Sequence, residues 1–139
     1  MRKILLAALF LAGCAQIPPS AEDIQAKRFE PVSDKAVIYV VRAPVDSFEV
    51  SGLALDDGQQ IATQRNSYYR WEVAPGTRRI AGVGPAMESV TLAAAAGRIY
   101  FLEHTVIGDP HDGGVQLTAL RQVGERDGRE LVLRSQLLQ

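Results

Sequence analysis

Apolar and polar positions along the chain alternate at the short intervals that are typical of β-strands. Residues 36–41 form an unbroken apolar run with four β-branched side chains and one tyrosine. This composition and length predict a strand that is buried on both faces or lies in the middle of a sheet. Residues 99–106 are apolar at their start and alternate towards their end, which predicts a second strong strand.

Turn-forming residues divide the region between these two strands. The Asp-Asp-Gly segment at residues 56–58 separates strand-like residues 48–55 from residues 59–64, and an Asp-Gly pair supplies the backbone angles of a tight hairpin. The Ala-Pro-Gly segment at residues 74–76 predicts a type II turn, which we interpret as a second hairpin. Further strands are expected at residues 68–73, 77–83 and 115–123.

Residues 88–95 are ambiguous, because the alanines at 93–96 favour a helix whereas Val-Thr-Leu at 90–92 favours a strand. We predict a strand, since the neighbouring strands recur at the 8- to 12-residue spacing of a sandwich or barrel. Residues 125–139 favour a short amphipathic helix, with a terminal strand as the competing interpretation. The predicted fold is therefore all-β: an antiparallel β-sandwich of about seven or eight strands with a short C-terminal helix.

The start of the chain follows a different pattern. Two basic residues precede an apolar run at residues 4–11, which closes on Leu-Ala-Gly-Cys at residues 11–14. Positively charged residues at the N-terminus, a short apolar run and small residues at the cleavage site predict a secretory signal peptide. The run is well short of the roughly 20 residues that cross a bilayer core as a helix, which favours cleavage over a permanent span.

The Leu-Ala-Gly-Cys segment resembles the lipobox of bacterial lipoproteins, in which the Cys14 thiol is acylated and becomes the new N-terminus. The resemblance implies attachment to a membrane through the acyl chains on Cys14, and each buried methylene of such a chain contributes roughly 0.8 kcal/mol. Ala15 follows where an aspartate would retain the protein at the inner membrane, so the implied location is the periplasmic face of the outer membrane. The alternative is a plain signal peptide in which Cys14 is an ordinary residue.

The domain organisation follows from these patterns. We predict a signal peptide at residues 1–13, a lipidated cysteine with a flexible tether at 14–33, and one periplasmic sandwich domain at 34–139. A short helix at residues 21–29 is the alternative to a plain tether. Cys14 is the only cysteine, so the mature domain has no disulfide of its own. The formal net charge of −1 provides no basic face for nucleic acid, and no cofactor is expected.

The folded region resembles the lipoproteins that carry the uncharacterised domain of unknown function 2846 (DUF2846). The resemblance covers the region from Asp34 to the C-terminus, and it is carried by AVIYVVR at 36–42, APGT at 74–77, GRIYFL at 97–102 and LRQV at 120–123. One departure is the pair of arginines at 78–79, where a histidine is expected. The resemblance implies a small β module that binds a surface or acts as a spacer, and it implies no catalytic residue.

One group of residues suggests metal chemistry. Two imidazoles and two carboxylates suit zinc or a similar ion, and they are provided by His104, Asp109, His111 and Asp112. Their spacing matches no established site, and Asp-Pro and Asp-Gly-Gly are also residues with which a loop turns. We therefore favour a surface loop without a metal, and a wall-directed hydrolase or metal-dependent enzyme that uses His104 and His111 is the alternative function.

A second group suggests binding. Tyr68 and Arg70 are predicted to lie on the face opposite Trp71, with Arg78 nearby across the hairpin. Together they predict an exposed aromatic and cationic patch that holds a glycan or an acidic protein, and a solvated outer face is the alternative. No serine lies in a Gly-x-Ser-x-Gly elbow, so we expect no enzyme. The expected function is a membrane-anchored binding or structural module of the cell envelope, with an envelope protein or a glycan as its partner.

Overall fold

The structure is a computed structural model, and it describes residues 17–43, 47–56, 58–83, 88–108, 111, 113 and 116–139. Two β-sheets pack face to face, which confirms the predicted all-β sandwich. The first sheet has the order β8-β7-β1-β4-β9 and the second has the order β3-β2-β5-β6. The elements are α1 (Ala21–Ala26), β1 (Ala36–Arg42), β2 (Ser51–Leu55), β3 (Gln59–Thr63), β4 (Ser67–Val73), β5 (Gly76–Gly82), β6 (Ser89–Ala94), β7 (Ile99–Ile107), β8 (Leu117–Val123), α2 (Glu125–Leu133) and β9 (Gln136–Leu137).

Strand β1 lies at the centre of the first sheet and is buried along its whole length, as its apolar run predicts. It pairs antiparallel with β4 and parallel with β7, and β9 pairs parallel with β4. The first sheet is therefore mixed, and the prediction of a wholly antiparallel sandwich is wrong. The reason is the path of the chain. After β4 the chain forms β5 and β6 of the second sheet. It then returns to the end of the first sheet at which β1 begins, so β7 runs parallel to β1.

Two apolar cores lie on the two faces of the first sheet. The core between the sheets buries residues of β1, β2, β5, β6, β7 and β8, and Trp71 packs against it. The second core lies under the two helices and contains Ala26, Phe29, Val37, Tyr39, Val41, Tyr68, Phe101 and Val132. The helices thus form a third layer, so neither face of the first sheet is an open outer surface. Among the described residues, no helix is both long enough and apolar enough to cross a bilayer.

The folded part begins earlier than the sequence predicts. Ser20 caps α1 by accepting a hydrogen bond from the Asp23 N–H (3.1 Å), and Asp23 and Ala26 are buried. After α1, the Phe29 ring lies between Tyr39 and other rings of the second core, 5.5 Å from Tyr39 between centroids. The prediction of a flexible tether is therefore wrong from Ser20 onward. The sequence pattern did not indicate the docking, because α1 has few apolar residues and this segment is held by one aromatic side chain, Phe29, and by the buried carboxylate of Asp23.

Of the two hairpins that the sequence predicts, the structure confirms one and not the other. Strands β2 and β3 form the predicted hairpin, with Asp56 at φ 49°. The segment before Gly76 does not close a hairpin, because β4 pairs with β1 and β9 whereas β5 pairs with β2 and β6. It carries the chain from one sheet to the other. The ambiguous alanine-rich segment is strand β6, as predicted, and the C-terminal region contains both the helix α2 and the short strand β9.

Helix α2 approaches the first sheet closely at Gly128. A β-carbon there would lie 2.2 Å from Cγ and 2.3 Å from Cβ of Phe101. Helix propensity favours alanine over glycine by about 1 kcal/mol, whereas overpacking a core typically costs about 1–3 kcal/mol. Because a 2.2 Å contact is far inside van der Waals distance, the overpacking cost lies at the upper end of this range, and after the propensity gain we expect Gly128→Ala to lower the free energy of unfolding, measured by urea unfolding, by about 2 kcal/mol. Gly124→Ala is the control: nothing lies within 4 Å of this N-cap residue, so the substitution should cost only about 0.5 kcal/mol through the weaker cap, and equal effects of the two substitutions would contradict the contact at Phe101.

Candidate functional site

A groove of about 630 Å³ lies beside the edge of β4, between that strand, the N-terminal segment and the chain end. Helix α1 and the loop after it form one wall, which includes Glu22, Gln25 and Glu30. Arg70 and Glu72 of β4 form the other wall, and the C-terminal residues close one end. The groove exists because α1 packs on the face of the first sheet, whereas β9 pairs only with the first residues of β4. The rest of the β4 edge is therefore left uncovered.

The backbone of β4 is only partly paired along this edge. Strand β9 pairs with Ser67 and Tyr68, and the Leu138 N–H donates to the Tyr68 carbonyl at 2.8 Å. Alternate residues of a strand direct their backbone polar groups to the same side. Arg70 and Glu72 therefore direct theirs towards the groove. No strand of the described chain pairs with Glu72 on that side, which leaves a short edge that a further strand can extend.

Arg70 is held in place by its neighbours in the groove. Its guanidinium forms an ion pair with Glu72, and its Nε donates to the Tyr39 hydroxyl at 3.2 Å. The Tyr39 hydroxyl in turn donates to the Ala26 carbonyl at 2.6 Å. Burial lowers the pKa of Arg70, but the hydrogen bonds with Glu72 and Tyr39 outweigh it and raise that pKa above its ordinary value. Arg70 is thus a fixed positive charge that joins the strand edge to the second core.

The groove as a whole is acidic. Its lining carries the carboxylates of Glu22, Glu30 and Glu72 and the single guanidinium of Arg70. Gln25 holds the Glu30 carboxylate by donating to it at 3.0 Å. An excess of carboxylates favours a cationic side chain as the neighbouring group. The groove therefore suits an extended chain that presents a lysine or an arginine.

The predicted aromatic and cationic patch is not formed. Tyr68 is 0 % exposed and lies under α1, where its hydroxyl donates to Asp23 Oδ1 at 2.8 Å. Burial, together with the Asp23 carboxylate, raises the pKa of Tyr68. Arg78 lies in the second sheet, where it pairs with Asp56 at 2.8 Å. The prediction is wrong because the face opposite Trp71 is covered by helices, and of the three proposed residues only Arg70 lines the groove.

A cluster of buried polar side chains lies between the sheets at the end where β1 and β7 finish, which we call the loop end. Arg42 and His104 are neighbours in the parallel pairing and are both 0 % exposed. His104 Nδ1 lies 3.0 Å from the Thr63 hydroxyl. Arg42 donates to the carbonyls of Thr63 (3.0 Å), Ser47 (2.9 Å) and Glu49 (2.8 Å). Arg42 thus satisfies three backbone carbonyls from two segments, the end of β3 and the residues before β2, and the cluster closes this end of the core.

The two histidines do not share a site. Burial, together with the charge of Arg42, lowers the pKa of His104 to about 4, so this imidazole is neutral at neutral pH. His111 is exposed, and its Nε2 lies 3.6 Å from Glu49 Oε1. Within the described ranges, no three or more His, Cys, Asp or Glu side chains are arranged to hold a metal ion. The other residues proposed from the sequence, Asp109, Asp112 and Cys14, lie outside the described residues.

The sequence could not reveal the groove, because its two walls come from segments that are far apart in the chain. Residues 21–30 provide one wall, and a strand near the middle of the chain provides the other. The only signal was Arg70 on the predicted outer face of its strand. No protein-family model matches this chain, and a search of the curated proteins finds no relative. The resemblance to the DUF2846 lipoproteins therefore stays a prediction from the sequence.

Proposed function

We propose that the protein is a lipid-anchored module of the cell envelope that binds an extended, basic peptide segment of a partner along the edge of β4. The observation that supports binding is the open edge at Arg70 and Glu72, which faces an acidic groove. Attachment through Cys14 and location at the outer membrane rest on the lipobox and on Ala15. The alternative hydrolase depends on His104 and His111, of which His104 is enclosed in the core.

In this proposal the partner adds a strand next to β4. The backbone groups of Arg70 and Glu72 pair with the peptide backbone, and a basic side chain of the peptide lies among the groove carboxylates. Three or four backbone hydrogen bonds and one exposed ion pair, each worth about 1 kcal/mol, sum to about 5 kcal/mol. Because association also costs translational and rotational freedom, the complex is weak and transient, and it depends on a high local concentration at the membrane.

The proposal predicts that a proline at position 72 prevents partner binding. The Glu72 N–H points away from β1, so proline removes the donor needed by an incoming strand and leaves the existing sheet hydrogen bonds in place. A photo-crosslinking residue at Gln25, in the groove, is expected to capture an envelope partner in intact cells. We expect Glu72→Pro to reduce this crosslink at least tenfold.

Two controls separate backbone pairing from other effects. Glu72→Thr removes the charge and keeps the N–H, so it should reduce the crosslink less than proline does. A photo-crosslinking residue at Arg126, which is exposed on α2, should not capture the same partner. Equal crosslinking by the Glu72→Pro and unsubstituted proteins would exclude strand addition at this edge. Mass spectrometry of the mature N-terminus tests the acylation of Cys14 separately.

A further inference from the structure

A strand that is added next to β4 has two faces, because successive side chains of a strand point to opposite sides of the sheet. Directly opposite residues of paired strands share a face. The residues opposite Arg70 and Glu72 therefore point to the side of the helices, and the residue between them points to the side of Trp71, which packs against the core between the sheets. An extended segment along this edge is thus in contact with two different surfaces at alternate positions.

The surface on the helical side is the wall formed by α1 and the loop after it. Glu72 of β4 already lies between two cations, since it is paired with Arg70 and the Lys35 ammonium is 3.9 Å away. The wall contributes Glu22 and Glu30 to the groove, and within the described part of the chain no cation pairs with either carboxylate. The negative charge that is left for a partner thus belongs to the wall and not to β4.

The two wall carboxylates lie at different ends of the groove. The residue after Glu22 accepts hydrogen bonds from Tyr68 and from β9, so Glu22 lies at the end that β9 fills. Glu30 lies at the other end: the chain continues from it to Val32, whose carbonyl accepts a hydrogen bond from the Gly97 N–H (3.1 Å) beside the start of β1. The open part of the β4 edge is at this second end, because β4 finishes where β1 begins. A basic side chain of an added strand is therefore closer to Glu30 than to Glu22.

The carboxylate of Glu30 is oriented by a neighbour on α1. Gln25 Nε2 donates to Glu30 Oε2 at 3.0 Å, and Gln25 lines the groove as well. A side chain that is already held in one orientation loses less conformational entropy when it binds a partner. Of the two unpaired wall carboxylates, Glu30 is therefore the one that is prepared to bind an ammonium or a guanidinium.

The surface on the opposite side of the added strand is apolar. Tyr69, Trp71 and Val73 pack against the core between the sheets and are still partly exposed. They are exposed because β9 covers only the first two residues of β4, and because β3, which lies over β4, is itself the edge of the second sheet. The Tyr69 hydroxyl accepts a hydrogen bond from Gln59 of β3 at 2.7 Å. A residue opposite Trp71 covers the exposed part of an aromatic side chain, which favours an apolar residue at that position.

We propose that the open edge of β4 selects an extended segment in which a basic residue stands next to an apolar residue. The basic side chain lies on the helical side and pairs with Glu30. The neighbouring apolar side chain lies on the other side and covers Trp71. This inference rests on the proposed strand addition at β4, and it deepens that proposal because it gives the partner segment a defined side-chain pattern.

The test titrates the full-length protein in detergent micelles with capped heptapeptides. The reference peptide is Ser-Thr-Val-Lys-Val-Thr-Ser, one variant peptide has glutamate in place of the lysine, and another has serine in place of both valines. The backbone amide chemical shift of Glu72 gives the dissociation constant. The fluorescence of Trp71, the only tryptophan of the chain, reports the apolar contact.

We expect the glutamate peptide to bind about tenfold more weakly than the reference peptide, because it loses one exposed ion pair and gains a like-charge contact. The reference peptide should shift the emission of Trp71 to shorter wavelength, since its valines exclude water from the ring. The serine peptide should bind at least threefold more weakly and should leave the emission maximum unchanged.

Two variants locate the ionic contact. Glu30→Gln should reduce the preference for the lysine peptide over the glutamate peptide from about tenfold to less than threefold. Glu22→Gln is the matched control, because it removes the same charge at the end of the groove that β9 fills, and it should keep the tenfold preference. Equal losses in the two variants would show that the preference comes from the general charge of the groove, and the pairing with Glu30 would be wrong.

The readouts separate this inference from the strand addition on which it rests. If all three peptides shift the Glu72 amide and bind with equal strength, strand addition stands and the side-chain preference is wrong. If no peptide shifts the Glu72 amide at millimolar concentration, the edge does not bind a strand and both proposals fail. A preference for lysine that depends on Glu30 and not on Glu22, together with a shift of the Trp71 emission that depends on the valines, supports the proposal.

Discussion

Replacing Asp23 with alanine is expected to lower the free energy of unfolding by about 3–5 kcal/mol, the range for removing one partner of a buried ion pair. Asp23 is 3 % exposed, and three groups converge on its carboxylate. The Lys27 ammonium lies 2.8 Å away, the Tyr68 hydroxyl donates at 2.8 Å and the Leu137 N–H donates at 2.9 Å. Alanine leaves the Tyr68 hydroxyl and the Leu137 N–H without this acceptor in an enclosed position, where unsatisfied donors are costly, and the Lys27 ammonium keeps only the Ser135 carbonyl at 2.7 Å.

The Asp23 carboxylate joins three parts of the fold that are distant in sequence. It lies on α1, Tyr68 lies on β4 and Leu137 lies on β9. Burial raises the pKa of Asp23, but the hydrogen bonds from Lys27, Tyr68 and Leu137 outweigh it and hold that pKa below the usual 3.8. The group contributes stability above its unfolded pKa, and this contribution is lost only as the pH falls through the lower folded value. At neutral pH the contact is therefore complete.

Urea unfolding at pH 7 measures this effect. Glu22→Ala is the matched control, because Glu22 is the exposed neighbour in the same first turn of α1, and it should change stability by less than about 1 kcal/mol. The double variant Asp23→Leu with Lys27→Met should be more stable than Asp23→Ala, since it removes both charges. An Asp23→Ala protein within about 1 kcal/mol of the unsubstituted protein would show that α1 docks by apolar contacts alone.

The parts of the fold that local patterns specify were predictable. The run at residues 36–41 predicts a fully buried strand, and β1 is buried at every position. The Asp-Gly turn predicts the hairpin of β2 and β3, because its backbone angles are a local property. The alternation at residues 68–73 assigns Tyr68 and Trp71 to opposite faces, which is correct. The alternation does not indicate that helices cover the face of the sheet on which Tyr68 lies.

The candidate site was not predictable for the same reason. Its existence depends on where α1 docks and on how far β9 extends along β4, and both are settled by contacts between residues far apart in the chain. A strand of two residues has no periodicity to detect. The parallel pairing of β1 and β7 is likewise a property of chain topology, and strand composition does not determine it.

Lowering the pH from 7 towards 4 is expected to reduce the free energy of unfolding by about 3 kcal/mol through His104 alone, since each pKa unit corresponds to about 1.4 kcal/mol. The pKa of His104 is lowered from 6.5 to about 4, first because the side chain is buried and then because Arg42 is adjacent. Between these two values the unfolded chain binds the proton and the folded protein does not. Stability therefore rises with pH through this window; the contribution is complete above 6.5 and lost by about 4.

Comparing urea unfolding of the unsubstituted protein and of histidine variants at pH 7 and pH 4.5 isolates this contribution, because the chain contains only two histidines and the carboxylates that also bind protons near pH 4.5 are common to all the proteins compared. His104→Asn keeps a polar atom near Thr63 and removes the titration, so its stability should fall with acidification by about 2–3 kcal/mol less than that of the unsubstituted protein. His111→Asn, at an exposed position, should retain the full pH dependence. Parallel pH profiles for His104→Asn and the unsubstituted protein would mean that acid destabilises the fold through its carboxylates, and that His104 accepts a proton without opening the core.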